Sequence, residues 1–166
     1  PTTSFFFFIQ NKHLINLNRM ADKDLWLTVP TTDENGNTII VTGRTEVAKY
    51  RSRPRNSIRV EVAMDYTSGG PLGFPDDESA ELLERITDAF NEELKGRNTA
   101  LLTGIYTGAG RRDWVFYTFS TEVFNGFLNR ALAPFPLLPL HITAENDPDW
   151  AEYDEMRSIT ADAIGE

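Results

Sequence analysis

Hydrophobic and polar positions alternate most clearly in Ile58-Arg59-Val60-Glu61-Val62-Ala63-Met64-Asp65, where Ile58, Val60, Val62 and Met64 share one side and Arg59, Glu61 and Asp65 the other. Period two of this kind predicts a strand with one face buried. Residues 67–75 are rich in Gly and Pro and read as a loop. Asp76, Asp77 and Glu78 then open a helix, because carboxylates there accept orphan N–H groups and sit at the positive end of the helix dipole. Its apolar stripe is Leu82, Leu83, Ile86, Ala89, Phe90 and Leu94, and Gly96 is placed to end it. Residues 100–107 and 112–119 read as two strands joined by the turn Gly108-Ala109-Gly110-Arg111. Ser120 or Thr121 caps a second helix with the stripe Val123, Phe124, Phe127, Leu128, Ala131 and Leu132, stopped by Pro134 and Pro136. Residues 138–143 are expected to form the last strand. Upstream, residues 25–29 and 38–42 make a hairpin around Asp33-Glu34-Asn35-Gly36-Asn37, whose Asn-Gly pair is a strong turn signal.

From Ile58 the order is therefore β-α-β-β-α-β. This predicts an α+β fold of the ferredoxin-like kind, one antiparallel sheet with two helices on one face. The N-terminal hairpin is expected to extend that sheet or cover an edge. A length of 166 residues suits one domain. Met20 is expected to open it, with residues 1–19 an upstream extension, 20–160 the domain and 161–166 a tail. Phe5 to Ile9 is apolar, but it lacks a basic flank and is too short to be a signal peptide or a spanning helix.

Two motifs carry a resemblance. Arg111-Arg112-Asp113-Trp114-Val115-Phe116-Tyr117 and Asp147-Pro148-Asp149-Trp150-Ala151-Glu152-Tyr153, with the acidic helix around Glu81-Leu82-Leu83-Glu84-Arg85-Ile86 between residues 55 and 156, make the chain similar to the bacterial domain-of-unknown-function family 695. That resemblance implies no catalytic residue, since the family has no established activity. It also implies a fold similar to the B-type regulator of ribonuclease E activity, an acidic ferredoxin-like protein that binds and inhibits an enzyme.

Charge narrows the partners. The formal net charge is −9, a field that repels nucleic acid at long range and favours basic proteins. There is no cysteine, which excludes disulfides, zinc–thiolate sites and thiol nucleophiles and suits a cytoplasmic location. No Gly-x-Ser-x-Gly elbow, His-Glu-x-x-His pair or Walker loop occurs. His13 lies in the upstream extension, and His141 reads as a residue of the last strand. The acidic run Glu145, Asp147, Asp149, Glu152, Asp154 and Glu155 lacks the glycine of a calcium loop and reads as a solvated face. The expectation is thus no catalytic residue, no cofactor and no metal.

Two surfaces are candidates for binding. The first is aromatic: Trp114 to Phe119 places large apolar groups on both faces of one strand, while two helices can cover only one. The second face must be covered by the hairpin and the Trp150 segment, or form an exposed patch for a partner. The residues singled out for partner contact are Arg111, Arg112, Trp114, Phe116, Tyr117, Trp150 and Tyr153. The second surface is basic: Lys49, Arg51, Arg53 and Arg55 recur at every other position, flanked by Arg44 and Arg59, and could meet an anion. The leading expectation is a protein-binding or regulatory module without catalysis, monomeric or weakly self-associating, with an unidentified and basic partner and no membrane. Single-stranded nucleic acid on residues 44–59 and the strand 112–119 ranks second, and an enzyme with an unrecognised site third.

Overall fold

Each alternating or helical pattern becomes an element in the computed structural model, which describes residues 26–45, 47 and 56–164. The chain runs β1 (Trp26–Thr32), β2 (Thr38–Arg44), β3 (Ile58–Asp65), α1 (Asp77–Leu94), β4 (Ala100–Gly108), β5 (Arg111–Thr118), α2 (Thr121–Leu132), β6 (His141–Asn146) and α3 (Ala151–Ile164). The expectations for residues 1–25, and for Lys49, Arg51, Arg53 and Arg55, lie outside the described residues. The six strands form one sheet in the order β1-β2-β4-β5-β3-β6, with every neighbouring pair antiparallel. Strands β3 to β6 with α1 and α2 are the ferredoxin-like βαββαβ unit, since β5 lies between β3 and β4, and β6 lies outside β3. The hairpin β1–β2 continues the sheet beyond β4 rather than folding over it.

Local chemistry sets the element ends. The Asp33 carboxylate accepts from the backbone N–H of Asn35 and of Asn37, at 2.9 and 2.8 Å, and so closes the β1–β2 turn. Asp76 caps α1 by accepting from the Ser79 N–H at 2.8 Å, and Ser120 caps α2 through Val123 at 3.2 Å.

One face of the sheet is buried under α1 and α2. Val60, Val62 and Met64 of β3 meet Leu83, Ile86 and Phe90 of α1 and Phe124, Phe127 and Leu128 of α2. Trp114 and Phe116 of β5 each pack edge-on to Phe90, with centroids 5.4 Å apart. The Trp114 indole donates to the Thr87 hydroxyl at 2.8 Å, which in turn donates to the Leu83 carbonyl at 2.9 Å. A polar atom inside the core is thereby satisfied.

The last strand begins three residues later than expected, at His141. Pro136 and Pro139 have no N–H to offer a ladder, and Leu138 and Leu140 pack into the helix-side core instead. The Leu140 N–H closes a tight turn on the Leu138 carbonyl at 2.9 Å, and pairing with β3 starts only beyond it. All six residues of β6 are exposed. A second difference concerns the C-terminus: α3 continues through residues 161–164, the stretch read as a tail.

Candidate functional site

The second sheet face is divided between two environments. Helix α3 lies over β1, β2 and the adjoining part of β4, where Val29, Val41, Leu101, Tyr117, Trp150, Tyr153 and Met156 form a second core. Beyond α3, among the described residues, Glu145 and His141 are exposed on the polar side of the sheet, Arg59, Glu61 and Asp113 are partly buried, and Ala63, Val115 and Tyr117 are buried. Cross-strand pairing ranks those residues in rows, because directly paired residues share a face. His141, Ala63, Asp113 and Tyr106 make one row; Thr143, Glu61 and Val115 the next; Glu145, Arg59 and Tyr117 a third.

Charges on these rows interlock. Arg59 Nη1 lies 3.0 Å from Glu61 Oε2 and 3.6 Å from Glu145 Oε1. Arg111 Nε donates to Asp113 Oδ1 at 2.9 Å, and its Nη2 lies 3.9 Å from Glu61 Oε1. Glu61 therefore stands between two guanidiniums. Burial lowers the affinity of Arg59 for its proton, but the charge and hydrogen bond of Glu61 outweigh it and hold the group above its ordinary value. Arg59 Nε is buried and meets no acceptor among the described residues. Asp113 moves the other way: burial pushes its carboxyl up to about 6, reinforced by the charge and hydrogen bond of Glu61 and opposed by Arg111.

Between this network and α3 lies a cleft of about 370 Å³ lined by Ile39, Arg59, Glu61, Tyr106, Asp113, Glu152, Glu155, Met156 and Ile159. Burial raises the Tyr106 phenol to about 12; Arg59 draws it down, while Glu152 and Glu155 push it further up. Neither Glu152 nor Glu155 has an ion-pair partner among the described residues. Cleft and rows together present five carboxylates against two guanidiniums, so the surface attracts cations. Among the described residues no three His, Asp or Glu side chains come together as a metal-ligand set.

The residues singled out for partner contact are mostly interior. Trp114, Phe116 and Tyr117 are each 0% exposed, Trp150 1% and Tyr153 5%. The aromatic strand offers no patch because α1 and α2 take Trp114 and Phe116, and α3 takes Tyr117. Trp150 stacks on Tyr117 with centroids 4.1 Å apart and donates from Nε1 to the Asn56 carbonyl at 2.8 Å. The Tyr153 hydroxyl donates to the Arg44 carbonyl at 2.6 Å. Arg112 is also largely buried, held by the Thr107 hydroxyl at 2.9 Å and Glu84 Oε1 at 3.3 Å, and burial lowers its pKa. Of that set only Arg111 reaches the open surface. Arg44 donates to the Leu102 carbonyl at 3.0 Å and lies over the Trp26 ring. In the Gly108–Arg111 turn the Gly110 N–H donates to the Gly73 carbonyl at 3.0 Å, so that group is spent on the loop before α1 rather than on an anion.

Sequence reasoning missed Glu61, Tyr106, Asp113, Glu152 and Glu155 as site residues. The available signal was the polar side of β3, where Arg59 and Glu61 point away from the apolar stripe. Fold and face together define a ferredoxin-like α+β module with an added hairpin, one buried helix face and a half-covered second face. The chain matches the family of unknown function DUF695 over residues 26–156, the greater part of its length, and belongs to that family. No curated protein and no solved structure matches it.

Proposed function

We propose that the protein is a non-catalytic binding module, acting in the cytoplasm, that takes a basic protein partner on the open half of the second sheet face. The observation that supports this most is the charged surface left beside α3: Glu61, Asp113 and Glu145 on the strands, with Glu152 and Glu155 on the helix. Charges ranked at cross-strand spacing suit recognition of a complementary surface and set on-rate and partner choice more than raw affinity. The aromatic strand supports neither an apolar protein contact nor base stacking, because its rings are enclosed. No helix among the described residues is long and apolar enough to cross a membrane.

The reading is tested by capture from a cell lysate on the wild-type chain and on Glu145→Lys/Glu152→Lys/Glu155→Lys, followed by calorimetry with each purified captured protein. The expected result is a basic protein that binds the wild type and a control variant, Glu81→Lys, but not the triple variant. Equal binding by wild type and triple variant would remove the face as the binding surface.

A further inference from the structure

The cleft beside α3 is chemically two-sided. Ile39 of β2 and Met156 and Ile159 of α3 supply apolar wall, Glu61, Asp113, Glu152 and Glu155 supply negative charge, and Arg59 supplies one positive charge, 3.0 Å from Glu61. Tyr106 adds an aromatic ring to the lining. At about 370 Å³ it falls near the small end of ligand sites, a size for one side chain rather than a large cofactor. Arg59 in the lining and Arg111 beside it already engage Glu61, Glu145 and Asp113, whereas Glu152 and Glu155 are not engaged by any cation among the described residues. An aliphatic stem ending in a positive charge satisfies both halves, as lysine and arginine side chains do when they lie along apolar surface with the head in a polar setting.

We propose that this cleft receives a single arginine or lysine side chain of the protein partner, its stem against Ile39 and Ile159 and its cationic head at Glu152 and Glu155. This rests on the reading of the face as a protein-binding surface and names what the partner must present. Tyr106 offers its ring to the same cation, an attraction that strengthens when water is excluded. Arginine also brings five donors to a pair of carboxylates, which fits Glu152 and Glu155, neighbours at i,i+3 on α3, better than the single ammonium of lysine does.

The test is a nuclear magnetic resonance titration of the full chain at pH 7.5 and low salt. The probes are acetyl-Gly-Arg-Gly-amide, its lysine counterpart, the citrulline isostere and agmatine. The arginine peptide is expected to shift the amides of Glu61, Tyr106, Asp113 and Met156 in a saturable way, and the citrulline peptide to bind at least ten-fold more weakly. Glu155→Gln should weaken the arginine peptide at least five-fold, while Glu81→Gln, on α1 and outside the cleft, should change it less than two-fold. Ile159→Ser, which removes apolar wall from the stem's path without changing the charge, should also weaken it. Equal shifts with citrulline, or shifts confined to His141, Thr143 and Glu145, would overturn the proposal. Tighter binding of agmatine than of the peptide would assign the cleft to a free amine and overturn the side-chain source. A captured partner that binds Glu155→Gln unchanged but not the triple lysine variant would remove the side-chain pocket and leave the face reading standing. Loss of the face reading instead shows as no difference between wild type and the triple variant.

Discussion

Asp147 does three jobs with two oxygens. Its Oδ2 accepts from the Tyr117 hydroxyl at 2.6 Å and from the Glu152 N–H at 3.1 Å, and its Oδ1 accepts from the Ala151 N–H at 2.8 Å. It thus fastens the start of α3 to the C-terminal end of β5. Burial opposes its charge, but the Tyr117 hydrogen bond and the two backbone donors outweigh it and hold the carboxyl below its ordinary value. Asp147→Ala removes a helix cap and leaves a buried phenol without its acceptor, and is expected to cost about 3 kcal/mol. Urea denaturation followed by circular dichroism would measure it, and Asp147→Asn should lose less because one oxygen acceptor survives. Asp113 has the opposite sign. Its folded pKa of about 6 exceeds the ordinary value of 3.8, so its contribution is fully present below pH 3.8 and lost as pH rises through about 6. Stability of the wild type should therefore gain on the order of 2 kcal/mol relative to Asp113→Asn as pH falls from 7 to 4.5. Asp147 works against this further down: its contribution is present above pH 3.8 and is lost as pH falls through its depressed pKa. Thermal melts of the two proteins across that range would show the slope, and parallel curves would contradict it.

Helix α3 approaches the sheet where it does because two glycines leave room. Gly43 of β2 and Gly104 of β4 are directly paired, and a Cβ built on Gly43 would stand 2.2 Å from Met156 Sδ. That atom ends a flexible side chain and can swing aside. Gly108 is different: a Cβ there would lie 2.3 Å from the Thr38 carbonyl oxygen and 3.0 Å from Ile39 Cα, both backbone. Gly108→Ala must therefore separate β2 from β4, and is expected to cost about 3 kcal/mol or more, whereas Gly43→Ala should cost about 1–2 kcal/mol by overpacking against Met156. Denaturant midpoints of the two variants would rank them. The legibility of each element follows from where its information lies. The stripe Leu83, Ile86, Phe90 and the alternation of Val60, Val62, Met64 are short-range patterns, so α1 and β3 were readable from the chain. The start of β6 was not, because Leu138 and Leu140 look like strand residues until the core claims them. The element Asp147 to Tyr153 was visible as a motif, yet its role was not: Trp150 takes a φ of 58° and stacks on a ring thirty-odd positions earlier in the chain.

Among the described residues, the sheet has one face closed by two helices and one face partly covered by α3. A net charge of −9 sets the sign of the field around it, and the open half-face concentrates that sign. Association with a basic partner should accordingly slow steeply as salt rises from about 50 to 500 mM, since the Debye length falls from above to well below 10 Å. Stopped-flow mixing with the captured partner would measure it, and a salt-independent on-rate would place the contact on an uncharged surface. Composition and periodicity alone determined the α+β class, the βαββαβ order, the helix starts near Asp76 and at Ser120 or Thr121, the acidic field and the absence of thiol chemistry. Each of these depends on residues a few positions apart or on a count. Only the tertiary structure decided that the aromatic strand is interior and that Arg59, Glu61, Arg111 and Asp113 form one network beside Tyr106. Those residues are some fifty positions apart along the chain at the extremes. They meet only through the antiparallel register of β3, β5 and β4, and their exposure depends on where α3 stops covering the sheet.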